Sequence, residues 1–409
     1  MCVGLTSCSA GRTPHQGVKV SCSRECARFE MPKRSIFVIG TRAQLIKVAP
    51  VVVACERRGI PCVLLMTGQH KETMDDLIEE FGVEARRVDA TTPAEHATVV
   101  SLARWLPQAY TNVKGRLREL APTAAEAVVL VHGDTLSTFV GALAAKRCRM
   151  DVVHLESGLT SGALLDPFPE EFLRRLVFRM TDIAMCPNDA AEAYMRRLGV
   201  RRVVHTGGNS IVDAVALSGA LTDCGSTDPP YVLASLHRFQ NIYHKGRLRQ
   251  IVEIIERLSQ RFTIHFVLHP ATRDRLQQEG LLDRLEQHER IVLHPRMGYG
   301  AFLRLAAQAS CVLTDGGSNQ EELAVLGVPT VVMRTRTERP DGLGRNAVLE
   351  GDLPEGVASF ILGGGHERLR TMPVCPGAEG PSEKIAGALL RLCSLEGDSP
   401  EAVTGGFLH

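Results

Sequence analysis

The chain has 409 residues, which is enough for two domains of ordinary size. It is 44% hydrophobic and 23% charged, and its net charge of +1 provides no basic stripe for nucleic acid. Aromatics make up 5%, too few for base-stacking platforms, and no apolar run is long enough to span a bilayer.

Residues 1–33 show no clear period and no signal-peptide h-region, and are read as a disordered extension. Four of the 12 cysteines lie there: Cys2, Cys8, Cys22 and Cys26. No CxxC pair exists, and the remaining thiols sit mostly in apolar segments such as those around Cys186 and Cys311. Reduced, buried thiols, a cytoplasmic location and no metal site are therefore expected.

From Ser35 to Ile39 the chain reads as a buried strand, and Gly40 turns it into a helix from about Ala43 to Arg58. Cys62 to Met66 is a second strand and Lys71 to Phe81 a second helix. Val128 to Val131 is a third strand, with a helix from Thr135 to Arg147. Asp151 to Leu155 is a fourth, followed by a loop and a helix from Glu170 to Met180. Strands near Ile183 and Val203 complete a first half. Such continuous apolar strands are buried on both faces, as in parallel sheets. The pattern restarts at Tyr231 to Ser235, with a helix from Lys245 to Gln260. Further strands cover Thr263 to Leu268, Ile291 to Leu293, Cys311 to Leu313 and Thr330 to Met333. A last amphipathic helix begins at Glu383.

Two successive halves of this kind predict an α/β fold of two Rossmann-like, doubly wound domains facing a cleft. The first spans 34–206 and takes back the C-terminal helix of about 383–395. The second spans 207–382, with Gly207, Gly208 and residues 223–230 marking the boundary.

Ligands of open parallel sheets bind outside the carboxyl ends of the strands. The most informative such place is Thr314-Asp315-Gly316-Gly317-Ser318-Asn319-Gln320-Glu321-Glu322, a strand, glycine turn and helix start. Free backbone N–H groups and the helix dipole favour phosphate there, and a carboxylate one step on suits ribose hydroxyls. The structural alternative is a capping box of Ser318 with Glu321. Arg42, Lys47, His237 and Arg238 follow other strands and match a diphosphate. Asp134 and Glu156 end neighbouring strands, and Glu170 opens a helix after Pro167-Phe168-Pro169. Clustered carboxylates raise one another's pKa, so that one acts as acid and another as base. Each also has a structural alternative. Asp134 can cap a helix, and Glu170 and Glu171 can serve a helix dipole. His154, His205, His269 and His294 can be hydrogen-bonded structural histidines.

The segments GTRAQLIKVAPV, TGQH, VHGDTLST, HLESGL, PFPEE, SLHR, LTDGGSNQEE and RTRTERP occur in one order. In that order and spacing the chain resembles the non-hydrolysing UDP-N-acetylglucosamine 2-epimerase family, of the two-domain GT-B type, from about Arg34 to Leu349. The resemblance implies removal of the C2 proton as UDP leaves C1, a 2-acetamidoglucal intermediate, and re-addition of UDP with the proton on the other face. It implies that Asp134, Glu156 and Glu170 are catalytic carboxylates and that His237 faces the diphosphate. It places Arg42, Lys47 and Arg238 on the phosphate side, Gly316, Gly317 and Ser318 in the diphosphate loop, and Glu322 on the ribose. Gln69 and His70 match part of an activator site found in some bacterial members. Arg339 belongs to a motif near the hinge, or to a structural salt bridge. The expected ligand is a UDP-sugar and the expected assembly a homodimer, with neither metal nor nicotinamide cofactor.

Several positions depart from the family pattern. Ala43-Gln44 replaces Pro-Glu, Thr160 replaces an arginine, Phe239-Gln240 replaces Arg-Glu, and the loop serine comes two places late at Ser318. These leave the exact hexosamine open, including a modified UDP-HexNAc. The rival readings are a hydrolysing 2-epimerase, a GT-B glycosyltransferase, which needs an acceptor groove where the carboxylates stand, and a non-catalytic UDP-sugar sensor.

Overall fold

The computed structural model describes residues 33–69, 74–91, 99–160, 170–223, 227–337 and 339–393. The first sheet contains β1 (Arg34–Ile39), β2 (Cys62–Met66), β3 (Arg86–Asp89), β4 (Ala127–His132), β5 (Asp151–Leu155), β6 (Ile183–Cys186) and β7 (Arg202–His205). Between its strands run α1 (Arg42–Arg57), α2 (Asp75–Glu80), α3 (Val99–Leu120), α4 (Leu136–Arg147), α5 (Glu170–Met180) and α6 (Asp189–Arg197). After β7 comes α7 (Ile211–Leu217).

The second sheet contains β8 (Tyr231–Ser235), β9 (Thr263–Val267), β10 (Ile291–His294), β11 (Cys311–Thr314), β12 (Thr330–Val332) and β13 (Ala347–Leu349). Its helices are α8 (Phe239–Ile242), α9 (Lys245–Leu258), α10 (Pro270–Gln278), α11 (Leu282–Glu286), α12 (Tyr299–Ala307), α13 (Gly317–Leu326) and α14 (Val357–Leu362). Last comes α15 (Pro381–Cys393), which packs on α1, with Arg58 donating to Glu383 at 2.8 Å.

All strand pairs are parallel, in the orders β3-β2-β1-β4-β5-β6-β7 and β10-β9-β8-β11-β12-β13. Each order reverses direction once, between β1 and β4 and between β8 and β11. Strands diverge there, and the loops at their carboxyl ends leave a crevice. The sheets are apolar on both faces, as the sequence predicts. Phe37 and Ile39 join one core cluster, and Ile36 and Val38 another. The first of these clusters also takes in Leu233, Leu303 and Leu323, so apolar packing is continuous from α1 and α7 to α12 and α13.

Several elements go beyond the sequence expectation, among them β3, β13 and α3. β3 is an edge strand reading Arg-Arg-Val-Asp, with no apolar run to reveal it. β13 is only three residues long. The sequence reading did not name α3 either, although Trp105, Ala109, Val113 and Leu117 recur every fourth residue and all are buried. The expected helix over Lys71 to Phe81 is observed at Asp75–Glu80, and its first residues lie outside the described ones. Cys55, Cys186 and Cys311 are buried as expected, whereas Cys375 is exposed. Among the described residues, no helix is long and apolar enough to cross a membrane.

At the first switch point the chain needs a residue without a side chain. A Cβ on Gly40 would collide with the Oγ and Cβ of Ser137, a buried residue of α4. Gly40→Ala is therefore expected to destabilise the protein by about 1–3 kcal/mol. Urea unfolding measures this, and an unchanged midpoint would show that α4 has room to retreat.

Candidate active site

Thr41 caps α1 in a reciprocal box with Gln44. The buried Gln44 amide also donates to the His132 carbonyl at 2.8 Å, Thr135 Oγ1 at 2.9 Å and Thr138 Oγ1 at 3.0 Å. Its Oε1 meanwhile accepts from the Gly40 N–H at 2.9 Å. This position must donate and accept at once, which a carboxylate cannot do. That accounts for glutamine where the family pattern has glutamate.

One turn along α1, Lys47 is buried. Its ammonium lies 3.0 and 3.2 Å from the two Glu156 oxygens and 2.8 Å from Glu321 Oε2. Glu156 follows β5 of the first sheet, and Glu321 sits on α13 beside the second. Glu321 is also paired with Arg339. The connecting segment joins in. Asn209 Nδ2 donates to Glu156 Oε1 at 2.7 Å, and Ser210 Oγ donates to the Lys47 carbonyl at 2.6 Å.

Burial alone would raise the Glu156 carboxyl. The Lys47 ammonium and its cationic neighbours outweigh burial and bring it down to about 2. His132, 3.3 Å from Glu156, is lowered to about 4 by burial and is neutral near pH 7. Glu156 also has a φ of 59°, in the left-handed region, where a non-glycine residue costs roughly 1–2 kcal/mol. Backbone strain of this kind persists where surrounding contacts over-determine it, often at functional sites.

Asp134 does not cap α4. Thr135 does, accepting from the Thr138 N–H at 3.2 Å. The Asp134 carboxylate pairs instead with Arg174 of α5. Arg174 also holds Glu171 at 2.7 Å, and the buried Glu171 accepts from Arg175 at 3.0 Å and from Thr160. Glu171 is thus an ion-pair hub in the first turn of α5. Glu170 is the first residue of α5, and its side chain, His70 and Pro167 to Pro169 lie outside the described residues. Gln69 Oε1 accepts from Ser137 Oγ at 2.6 Å and from the Ser137 N–H at 3.2 Å.

The structural reading of two histidines holds. His154 is buried, with Nδ1 at 3.0 Å from Ser157 Oγ and Nε2 at 2.8 Å from the Gly133 carbonyl. His294 shares a 2.8 Å hydrogen bond with His265. His205 meets Asp189 and Glu192 at the far edge of the first sheet, where Glu192 is already paired with Arg196 at 2.6 Å.

On the second sheet, Asp315 is fully buried. It accepts from the backbone N–H groups of His237 and Arg238, each at 3.0 Å, and from Asn241 Nδ2 at 2.8 Å. It ties the loop after β8 to the loop after β11. The His237 ring, 42% exposed, stands 3.5 Å from the same carboxylate. α13 begins after Gly316 with no side chain capping its first turn, so the Ser318–Glu321 capping box is absent. Uncapped amides at a helix start suit an anion.

A cavity of about 340 Å³ opens there, lined by Gly316, Gly317, Ser318, His237, Glu322 and, from the first half, Arg42. That volume lies within the range of small-molecule sites. The Arg42 guanidinium also bonds Asp76 at 2.6 Å. Asp134, Glu156, Lys47, Arg238 and Gln69 are not among the lining residues. Burial raises the Glu322 carboxyl to about 8, against the pull of Lys47, so it is protonated near pH 7 and can donate a hydrogen bond.

The other rim is closed by Glu80 of α2, which accepts from the N–H groups of Tyr299, at 3.0 Å, and Gly300 at the start of α12. Sequence reasoning missed Glu80, Arg174 and Asn209. Their partners are far away in the chain, and no spacing links them.

The family model described as UDP-N-acetylglucosamine 2-epimerase matches residues 53–353. The chain is similar to the UDP-N-acetylglucosamine 2-epimerase of Methanocaldococcus jannaschii, at 30% identity over 344 residues, 79% of this chain and 90% of that protein. It is also similar to that of Bacillus subtilis, at 28% identity over 314 residues, 75% of this chain and 80% of that protein. Among solved structures, UDP-GlcNAc 2-epimerase from Neisseria meningitidis bound to UDP-GlcNAc matches with a TM-score of 0.68 at 26% identity. That match covers 88% of this chain and 99% of the other.

The raised Glu322 carboxyl has a consequence for stability. Between about 4.5, its ordinary value, and about 8, the folded protein retains a proton there that the unfolded chain releases. Stability from this group is therefore complete below about 4.5 and is lost as pH rises towards 8. Glu322→Gln is expected to melt higher than the parent at pH 8, with the gain shrinking towards pH 5. Thermal melts of the ligand-free proteins at both pH values measure it, and a gain independent of pH would show that Glu322 is ionised throughout.

Proposed function

Because the chain belongs to the UDP-N-acetylglucosamine 2-epimerase family, we propose that it interconverts UDP-GlcNAc and UDP-ManNAc without net hydrolysis. The observation that carries this reading is the cavity in which Arg42, from the first half, meets His237 and the uncapped start of α13, from the second. A diphosphate there is met by a guanidinium, an imidazole and backbone amides, which stabilise the negative charge that builds as UDP departs.

In the forward step the C1–O bond to UDP breaks and its electron pair leaves with the diphosphate. The C2–H bond breaks, a carboxylate takes the proton, and a C1=C2 double bond forms. The reverse steps, with a proton delivered to the opposite face, give the epimer. Departure of UDP places positive charge on C1 and the ring oxygen, which acidifies the C2 hydrogen. A weakly basic carboxylate then suffices. Glu156 enters the cycle ionised, and Asp134, Glu156 and Glu170 are the groups that serve C2. Glu322 faces the ribose hydroxyls.

The contacts that shut the cleft, Glu80 on α12 and Lys47 on Glu321, support retention of the intermediate, since a closed site excludes water. Movement about the segment at Gly207 and Gly208, between domains of 34–206 and 207–382, would open it.

Proton NMR of the enzyme with UDP-GlcNAc in D2O tests the proposal. Loss of the C2 proton signal, new UDP-ManNAc resonances and no accumulating UDP are expected. Free UDP with free N-acetylmannosamine would replace the reading with a hydrolysing enzyme, and no exchange at all would oppose epimerisation of this sugar. Asp134→Asn and Glu156→Gln are each expected to lower kcat by about 100-fold or more, as removal of an acid–base group does. Full turnover by both would remove the carboxylate mechanism.

A further inference from the structure

Glu321 does not line the cavity, yet it is 4% exposed and holds charges on both sides. One oxygen faces Lys47 of the first half at 2.8 Å, and the other meets Arg339 of the second. Arg339 is itself fixed, because Gln320 Nε2 donates to its carbonyl at 2.9 Å and its side chain lies against Gly317. Two carboxylates and two cations thus form an unbroken line, Glu156–Lys47–Glu321–Arg339, from the end of β5 to the diphosphate loop. Formally its charges cancel. A buried ammonium needs such partners, and only one of its two carboxylates belongs to its own half.

The strained Glu156 backbone is braced by Lys47 and Asn209, and Lys47 is ion-paired from across the cleft with Glu321. We propose that Glu321 is a positioning residue for the epimerase reaction. Acting through Lys47, it makes the reactive placement of Glu156 conditional on closure of the two halves. If α13 swings away, Lys47 loses the carboxylate that fixes it from the far side and holds Glu156 less firmly, so chemistry and closure occur together. The inference rests on the epimerase reading. It adds that a residue outside the cavity lining decides whether the glucal is held to the end of the cycle.

Glu321→Gln keeps the volume and removes the charge, while Glu321→Asp keeps the charge with a shorter reach. The parent and both variants are supplied with UDP-GlcNAc, and UDP-ManNAc, free UDP and 2-acetamidoglucal are counted by NMR alongside kcat, KM and the thermal midpoint. For Glu321→Gln, kcat is expected to fall about tenfold or more with KM changed less than about threefold. A larger share of turnovers is expected to end in free UDP plus 2-acetamidoglucal, and Glu321→Asp is expected to recover part of both effects. Glu321→Gln with the parent's kcat and product ratio overturns the proposal. So does a loss of activity that follows a lowered thermal midpoint with the product ratio unchanged. A parent that leaves UDP-GlcNAc untouched contradicts the epimerase reading and this inference with it, whereas an active parent with an unaffected variant contradicts this inference alone.

Discussion

The buried ammonium of Lys47 is the contact on which the rest of the site depends. Its stem leaves α1, its charge sits between Glu156 and Glu321, and its carbonyl accepts from Ser210 in the segment joining the halves. Taking such a charge out of water costs several kcal/mol, recovered only with good geometry and nearby opposite charge. Here the opposite charge comes from both halves. The ion pair therefore acts less as a source of stability than as a device that specifies one arrangement of the two sheets. Glu80 capping α12 from α2 has the same character, since a first-half carboxylate satisfies second-half amides.

The second half shows how a binding site is kept at some expense to the fold. Asp315 has a full set of donors and locks two loops together. Its neighbours on α13 are less satisfied: the first turn has no side-chain cap, and Glu322 is buried with its carboxyl raised by desolvation. Both are unfavourable in the empty protein, and a diphosphate and a ribose bound as proposed would offset them. This is the usual tension between stability and function.

The fold was largely legible because its strands are continuous apolar runs at regular intervals, which only a parallel sheet covered on both faces accommodates. What escaped was β3, whose polar edge lacks that signature, and β13, too short to carry one. The cavity lies at the carboxyl ends of strands, where the sequence places the candidate site, and it gathers Arg42, His237, Gly316 to Ser318 and Glu322. Lys47 reads in sequence as a second phosphate-side cation, and in the structure its ammonium pairs with two carboxylates. No local pattern could show this, because its partners lie on β5 and α13. The departures from the family pattern were visible as letters, and three of them have contacts that no letter shows. Gln44 must donate as well as accept, Thr160 donates to Glu171, and Phe239 stacks on Tyr243 with ring centroids 4.6 Å apart.

The most direct test of this account is a mutant cycle on the buried ion pair, followed by urea unfolding at pH 7. Lys47→Met leaves two buried carboxylates facing each other and is predicted to cost about 3–5 kcal/mol. Combining it with Glu156→Gln leaves Glu321 paired with Arg339, restores the balance of charge and is predicted to recover most of that loss. A Lys47→Met protein as stable as the parent, or a double variant no more stable than Lys47→Met, would contradict the claim that this ammonium joins the two halves.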